Sequence, residues 1–344
     1  MPYHRLSEGV DLESQLKIGS TVVIRHPSEM AVEPQTSKEI KKIMKTTKRS
    51  CAQCKAFESE NLVCKTCSKC QAVFYCSVEC QRLHWPAHKV HCPQSRKLDR
   101  VEKLAYALTA NRNFFTYLKL AIIFQFNLLT AKRPIEPFCA LVPLTVEPED
   151  ILDFARLRGD IPFERPTNPH QKMKGILQVG GVLPYPEEQY FKDKARSLTE
   201  AAMDANPSLY CRPDSIHVVV RFSMVDPARD GPGMMIEIPI IITPNLMDIA
   251  RAAQPFGQCL PIAAHFFSKP MDAFSCVEYI NSTIRQDREN RFLMRREMTE
   301  EDEELIRRST AEFNQETEMR FSSMIIELRM RNEQIYKPLI HDLL

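Results

Sequence analysis

The chain has 344 residues, 44% of them hydrophobic, and its 46 Lys and Arg nearly balance its 44 Asp and Glu, for a formal charge of +2. That length allows one large core with a small module, or two or three domains, and the apolar fraction excludes a disordered chain. The near-neutral balance excludes a global electrostatic bias toward nucleic acid or membrane, and nine glycines with neither a GxxxxGK[ST] nor a GxGxxG run argue against a phosphate-cradling loop.

Residues 1–50 precede a cysteine cluster. Met1–Ser20 has no apolar run of the secretory kind, being broken by His4, Arg5, Glu8, Asp11 and Glu13. Val22–Ile24 reads as one short strand. Residues 37–49 carry Lys38, Lys41, Lys42, Lys45, Lys48 and Arg49, with Ile40, Ile43 and Met44 at helical spacing between them. The pattern suits a solvated helix and linker better than a nuclear-localisation or nucleic-acid element.

Eight of the twelve cysteines fall between Cys51 and Cys92. The order is Cys51-x2-Cys54, Cys67-x2-Cys70, Cys76-x3-Cys80 and His88-x3-Cys92. Paired soft ligands two or three residues apart are what a tetrahedral Zn²⁺ site requires. Cys64 also forms a CxxC with Cys67, and His84 and His91 compete with His88, so the ligand set has alternatives. Thiols spaced for metal, without a secretion signal, suit a reducing intracellular compartment, with nucleus and cytoplasm undecided.

The stretch Cys67-Ser-Lys-Cys-Gln-Ala-Val-Phe-Tyr-Cys-Ser-Val-Glu-Cys-Gln-Arg-Leu-His-Trp-Pro-Ala-His-Lys-Val-His-Cys92 resembles the MYND-type zinc finger, with Tyr75 before Cys76, Gln81 after Cys80 and Trp85 three residues before His88. The resemblance covers residues 51–92 alone. It implies two structural zinc ions held by alternating pairs: Cys51, Cys54, Cys76 and Cys80 on one, Cys67, Cys70, His88 and Cys92 on the other. It selects Cys67 and Cys70 over Cys64 through the short gap before Tyr75. It selects His88 because that residue alone satisfies both Trp-x2-His and His-x3-Cys. Four protein ligands per ion leave no open position, so the zinc is structural rather than catalytic. It further implies a protein-interaction module that takes proline-rich peptides, with Ser68, Gln81 and Trp85 at the contact positions. Trp85, the sole tryptophan, suits either a peptide platform or packing inside the module, and Ser68 suits a plain surface turn better than a contact.

Two other function classes share features with this sequence. Fingers of this kind also occur inserted in split SET lysine methyltransferases, and Leu16–Pro27 faintly resembles the segment before the finger there. The Asn-His-Ser-Cys motif and a later cysteine cluster are missing from the sequence. A nucleic-acid-binding regulator is the other. Lys55, Lys65, Lys69, Arg82 and Lys89 make the finger mildly basic, but without a recognition helix or interleaved aromatics. The expectation is a non-enzymatic adaptor with a protein partner and no direct nucleic-acid or membrane contact.

Residues 98–131 read as helical, with Leu98, Val101, Leu104, Ala105 and Leu108 near a 3.6 period. Phe114–Leu129 is the best membrane candidate, but Lys119, Gln125 and Asn127 interrupt it and it is short, so it reads as a buried helix. Residues 132–170 are proline-rich and expected to be irregular, apart from a strand at Ala140–Val146. Strands are expected at Ile176–Val182, and as a hairpin of Ile216–Val225 with Met234–Thr243 across a turn at 226–233, with Pro239 at an edge or bulge. Residues 187–205 suit a helix. Thr299-Glu-Glu-Asp302 suits an N-terminal cap for a long amphipathic helix through Leu305, Ile306, Phe313, Met319, Met324, Ile325 and Leu328, with Glu304–Arg308 paired on it. Cys139, Cys211, Cys259 and Cys276 lack CxxC partners and read as buried free thiols, and Cys259 with His265 makes no catalytic dyad. The whole reads as α+β: residues 1–50 as an N-terminal segment with a basic linker, a small cross-braced two-zinc module at 51–92, and a helical domain with a small antiparallel sheet at 98–344.

Overall fold

The structure is a computed structural model that describes residues 11–19, 23–26, 35–46, 49–59, 61–70, 73–90, 92, 96–162, 172–185, 188–226, 232–259, 266–311 and 320–340. His91, His265, Phe313, Met319 and the turn residues 227–231 lie outside these, as does the side chain of Cys259.

In chain order the elements are α1 (Leu12–Gly19), β1 (Val23–Arg25), α2 (Ser37–Thr46), β2 (Lys65–Thr66), β3 (Phe74–Tyr75), α3 (Val78–His88), α4 (Arg96–Ala110), α5 (Arg112–Gln125), β4 (Phe138–Pro148), α6 (Ile151–Arg158), β5 (Lys174–Val179), β6 (Leu183–Pro184), α7 (Gln189–Ala205), α8 (Pro207–Tyr210), β7 (Ile216–Val225), β8 (Pro232–Ile242), α9 (Pro244–Ala252), β9 (Phe256–Cys259), β10 (Phe266–Lys269), α10 (Ala273–Gln286), β11 (Arg295–Glu297), α11 (Glu300–Ala311), α12 (Phe321–Asn332) and α13 (Lys337–Ile340).

The main sheet is larger than expected and is mixed. Its order is β11-β5-β4-β7-β8, with β6 on β4, and the central β4–β7 pair is parallel while the other pairs are antiparallel. β7 and β8 form the expected hairpin, with a register shift between Ser223 and Val225. Pro239 lies on β8, at the end of the strand order, where a missing donor is tolerated. Along β7, Ile216, Val218, Val220 and Phe222 enter the main core, whereas Val219 packs with Ala195 and Leu198 of α7. The period-2 alternation therefore places α7 on the face opposite the main core. Gly175 permits the tight approach at β5, since a Cβ there would come within 2.6 Å of Met298 Cγ and Val146 Cγ1.

Residues 132–162, the described part of the proline-rich stretch, are more regular than their prolines suggested. β4 extends through Pro143, whose carbonyl accepts from Gly180 N at 2.7 Å. After it, Asp150 caps α6 by accepting from Leu152 N at 3.0 Å, and Gly159 ends that helix at φ 84. Residues 98–131 divide into α4 and α5 at Asn111, whose side chain caps α5 by accepting from Phe114 N at 3.1 Å. Seven α5 residues from Phe114 to Ile123 are buried, and among the described residues no helix is long and apolar enough to cross a membrane. Thr299 and Asp302 form the reciprocal cap expected before α11, and Arg308 Nε donates to Glu304 Oε1 at 2.7 Å. The C-terminal helix is two helices rather than one, because Arg320 has extended backbone where α12 starts.

The N-terminal segment is woven into this body. Leu16 of α1 is fully buried in the main core, and β1 forms a second, three-stranded sheet with β9 and β10. Ile40 of α2 is fully buried, while Lys38, Lys41, Lys42 and Lys45 are exposed, so the basic stretch is the solvated face of a packed helix.

A buried ionic network ties the C-terminal helices to the sheet. Arg329 on α12 pairs with Glu147 of β4, and its Nε donates to Glu333 Oε1 at 2.7 Å. Its Nη2 donates to Gln178 Oε1 of β5 at 2.9 Å and to the Tyr336 hydroxyl at 2.8 Å. Tyr336 in turn donates to Glu147 Oε2 at 2.5 Å, and Asn281 of α10 donates to Glu333 Oε1 at 2.7 Å. All six residues are buried. A network this far from water stabilises only while every member is paired. Arg329→Met strands Glu147 and Glu333, so it should lower stability by about 3–5 kcal/mol, read as a large fall in the thermal midpoint. A midpoint within a degree or two of wild type would contradict this reading.

Candidate metal centres

The finger has its own small core of Cys51, Cys64, Cys67, Cys70, Tyr75 and Cys92. So little apolar material cannot stabilise a module of this size, and metal ligation must supply the rest. The donor atoms of Cys51, Cys54, Cys76 and Cys80 lie within 4.8 Å of one another, and so do those of Cys67, Cys70, His88 and Cys92. Tetrahedral Zn–S bonds of about 2.3 Å place neighbouring sulfurs ~3.8 Å apart. The observed Cys54–Cys76 and Cys76–Cys80 sulfur separations are 3.5 Å, and Cys70 Sγ lies 3.4 Å from His88 Nε2. Both donor sets fit Zn²⁺ with four protein ligands each.

The local structure explains how the sets form. Cys51–Cys54 and Cys67–Cys70 lie on tight turns, and β2 and β3 pair antiparallel, ending just before Cys67 and Cys76 respectively. The hydroxyl of Ser77 caps α3 by accepting from Cys80 N at 3.1 Å, which starts the helix at the third pair. Cys80 stands at one end of α3 and His88 at the other. Eight residues of helix span ~12 Å, far beyond one coordination sphere, so α3 must bridge two ions.

Burial alone raises the Cys51 thiol pKa, but the N–H groups of Cys76, Cys54 and Gln53 outweigh it and bring the group down to about 6. At Cys67 the N–H groups of Cys70 and Lys69 likewise outweigh burial and lower the pKa. These donors favour the thiolate at Cys51 and Cys67, whereas burial raises the thiols of Cys54, Cys76 and Cys92, which the ion itself must deprotonate.

The residues set aside occupy supporting places. Cys64 is buried, with its thiol pushed up to about 11 by burial and then the Glu58 charge, and it belongs to neither of the two four-residue donor groups. His84 accepts or donates through Nδ1 with the Tyr75 hydroxyl at 2.9 Å and stacks on His88 with ring centroids 5.8 Å apart. Tyr75 and His84 thus fix the orientation of the ligating imidazole, a role the spacing did not disclose. Elsewhere Cys276 is buried and Cys139 half-buried, whereas Cys211 is exposed rather than buried.

Gln81 and Trp85 lie four residues apart on α3 and share a face. Gln81 is half-buried and Ser68 exposed. Trp85 is 40% exposed, and its ring makes a T-shaped contact with that of His88, the centroids 5.9 Å apart.

This geometry defines a two-zinc binding module, and the model of the MYND finger matches the same residues, 51–92. Residues 51–92 are a MYND finger, with two structural zinc ions, of a class that supports protein–protein interaction. The chain belongs to the family described as a domain of unknown function, DUF8205, whose model matches residues 96–336. No solved structure matches the chain.

Acid should release the metal in an ordered way. The folded-state pKa of Cys51 lies below the ordinary thiol value, so its contribution is full above that value and is lost as pH falls through about 6. Bound zinc moves the loss lower still, because protons must compete with the ion. The second set is buried at all four ligands, whereas Cys54 in the first is exposed. Zinc release followed with a chromophoric chelator should therefore be biphasic below about pH 6, the first set emptying first. Simultaneous loss of both ions at one pH would contradict the difference in burial.

Proposed function

We propose that this protein is an adaptor whose zinc finger captures a proline-rich segment of a protein partner on the α3 face around Gln81 and Trp85, with Ser68 at its margin. The observation that carries this is the finger's exposed apolar surface. Among the described residues, five of the eleven exposed large hydrophobic side chains belong to it: Val63, Val78, Leu83, Trp85 and Val90. Large apolar groups concentrated on so short a module mark a contact surface. Val78, Gln81 and Trp85 recur at three and four residues and line one stripe of α3. An indole open to solvent beside an amide is the kind of platform an extended proline-rich ligand uses, its ring stacking on prolines while the amide bonds a backbone carbonyl. The two closed zinc sites support a scaffolding role for the metal.

Trp85 is the only tryptophan, so its emission reports directly on occupancy. Titration with a proline-rich peptide should shift that emission. Trp85→Ala should weaken binding of a labelled peptide by roughly tenfold or more while both zinc ions stay bound. Loss of zinc in that variant would instead make Trp85 part of the module's scaffold.

A further inference from the structure

The α3 face carries charge as well as apolar surface, and the charge is of one sign. Val78, Arg82, Trp85 and Lys89 follow one another at intervals of four, three and four residues, and all are exposed. At about 100° per residue they fall in a stripe roughly 60° wide, with Gln81 beside it. Lys89 keeps helical backbone at the end of α3, and its N–H donates to Trp85 O at 2.8 Å, so the stripe runs on through it. Arg82 therefore stands ~4.5 Å before Trp85 along the helix axis, and Lys89 ~6 Å after it. Lys69 follows Ser68 at the margin and Lys65 lies on β2, both exposed.

The finger's own acids do not answer these cations. Among its described residues the carboxylates are Glu58 and Glu79. Glu58 is engaged locally: Oε1 accepts from Cys64 N and Oε2 from Arg49 N, each at 3.1 Å. Glu79 lies in the first turn of α3, off the stripe, where a carboxylate complements the helix N-terminus. Lys55 directs its ammonium to Ala52 O at 2.6 Å. None of Lys65, Lys69, Arg82 and Lys89 makes an ion pair in the described structure. A cation on each side of the one exposed indole leaves this face with positive charge that an acidic partner would balance.

We propose that the finger selects proline-rich segments that carry Glu or Asp on both sides of the proline core. This deepens the peptide-capture reading and rests on it. A polyproline II ligand advances ~3.1 Å per residue. Lying along α3, it covers the ~10.5 Å from Arg82 to Lys89 in three or four residues. The fitting pattern is therefore an acid, two or three residues that include the proline, and a second acid. The carboxylates meet Arg82 and Lys89 while the proline stacks on the indole. Lys69 extends the same field to the Ser68 margin. Nucleic acid suits the face less well. Strand binding uses successive aromatic platforms, and Trp85 has no second exposed aromatic ring beside it among the finger's described residues.

The test uses the full zinc-loaded chain and three labelled peptides, followed by fluorescence anisotropy. They share one proline core and are flanked by Glu, by Gln or by Lys. At low salt the Glu-flanked peptide should bind about fivefold more tightly than the Gln-flanked one, with the Lys-flanked one weakest. Raising salt to about 0.5 M should narrow that preference. Arg82→Gln combined with Lys89→Gln should remove it while both zinc ions stay bound. Equal binding of the Glu- and Gln-flanked peptides, or a preference that survives the double substitution, overturns this proposal and leaves peptide capture standing. Binding of none of the three overturns both. Should the double variant lose zinc, the wild-type chain decides, because a preference unchanged between low salt and about 0.5 M overturns the proposal. Tighter binding of a single-stranded oligonucleotide than of the Glu-flanked peptide would assign the cations to nucleic acid and overturn it too.

Discussion

Alternating zinc ligation is the constraint on which the finger depends. The first and third ligand pairs close one site and the second and fourth close the other, so neither half of the module can fold alone. α3 is the common strut, carrying Cys80 to one ion and His88 to the other. Once both ends of that helix are pinned from inside, its remaining face is free of structural duty. That is why Trp85, Leu83 and Val78 can stay exposed on a module whose interior is made mostly of cysteine. A finger stabilised by an apolar core would have needed those side chains inside.

The larger domain solves the same problem by different means. Its mixed sheet is covered by a continuous apolar core on one face and by α7 on the other. Within that core the C-terminal helices are registered on β4 and β5 by the buried Arg329 network rather than by shape alone. Two carboxylates, Glu147 and Glu333, face two guanidiniums, Arg329 and Arg285, so charge is balanced. The Arg221 cluster departs from that rule. Two cations, Arg221 of β7 and Lys194 of α7, share the carboxylate of Glu237 on β8.

The sequence disclosed most where the chemistry is local. Ligand pairs two and three residues apart, the Thr299–Asp302 cap and the β7–β8 hairpin all depend on neighbours within a few positions or one turn, and each is legible without tertiary context. α6 had local signals too, Asp150 at its start and Gly159 at its end, but the surrounding prolines masked them. Pro143 lies inside β4 and still offers its carbonyl to Gly180, so proline density overstated the irregularity. The parallel β4–β7 pairing, the recruitment of β1 to β9 and the burial of Ile40 join residues far apart in sequence. No periodicity encodes such partners. Arg221 was unreadable for the same reason, since an arginine inside an apolar run does not declare its shared carboxylate.

The most direct measurement of the central claim is zinc K-edge X-ray absorption on the purified chain, combined with metal stoichiometry. Two zinc ions per chain are expected, one with four sulfurs at about 2.3 Å and the other with three sulfurs and one imidazole nitrogen at about 2.0 Å. The averaged first shell should therefore hold far more sulfur than nitrogen. One zinc per chain, an oxygen ligand from water, or a nitrogen share large enough to bring in His84 or His91 beside His88 would contradict the two closed, alternating sites.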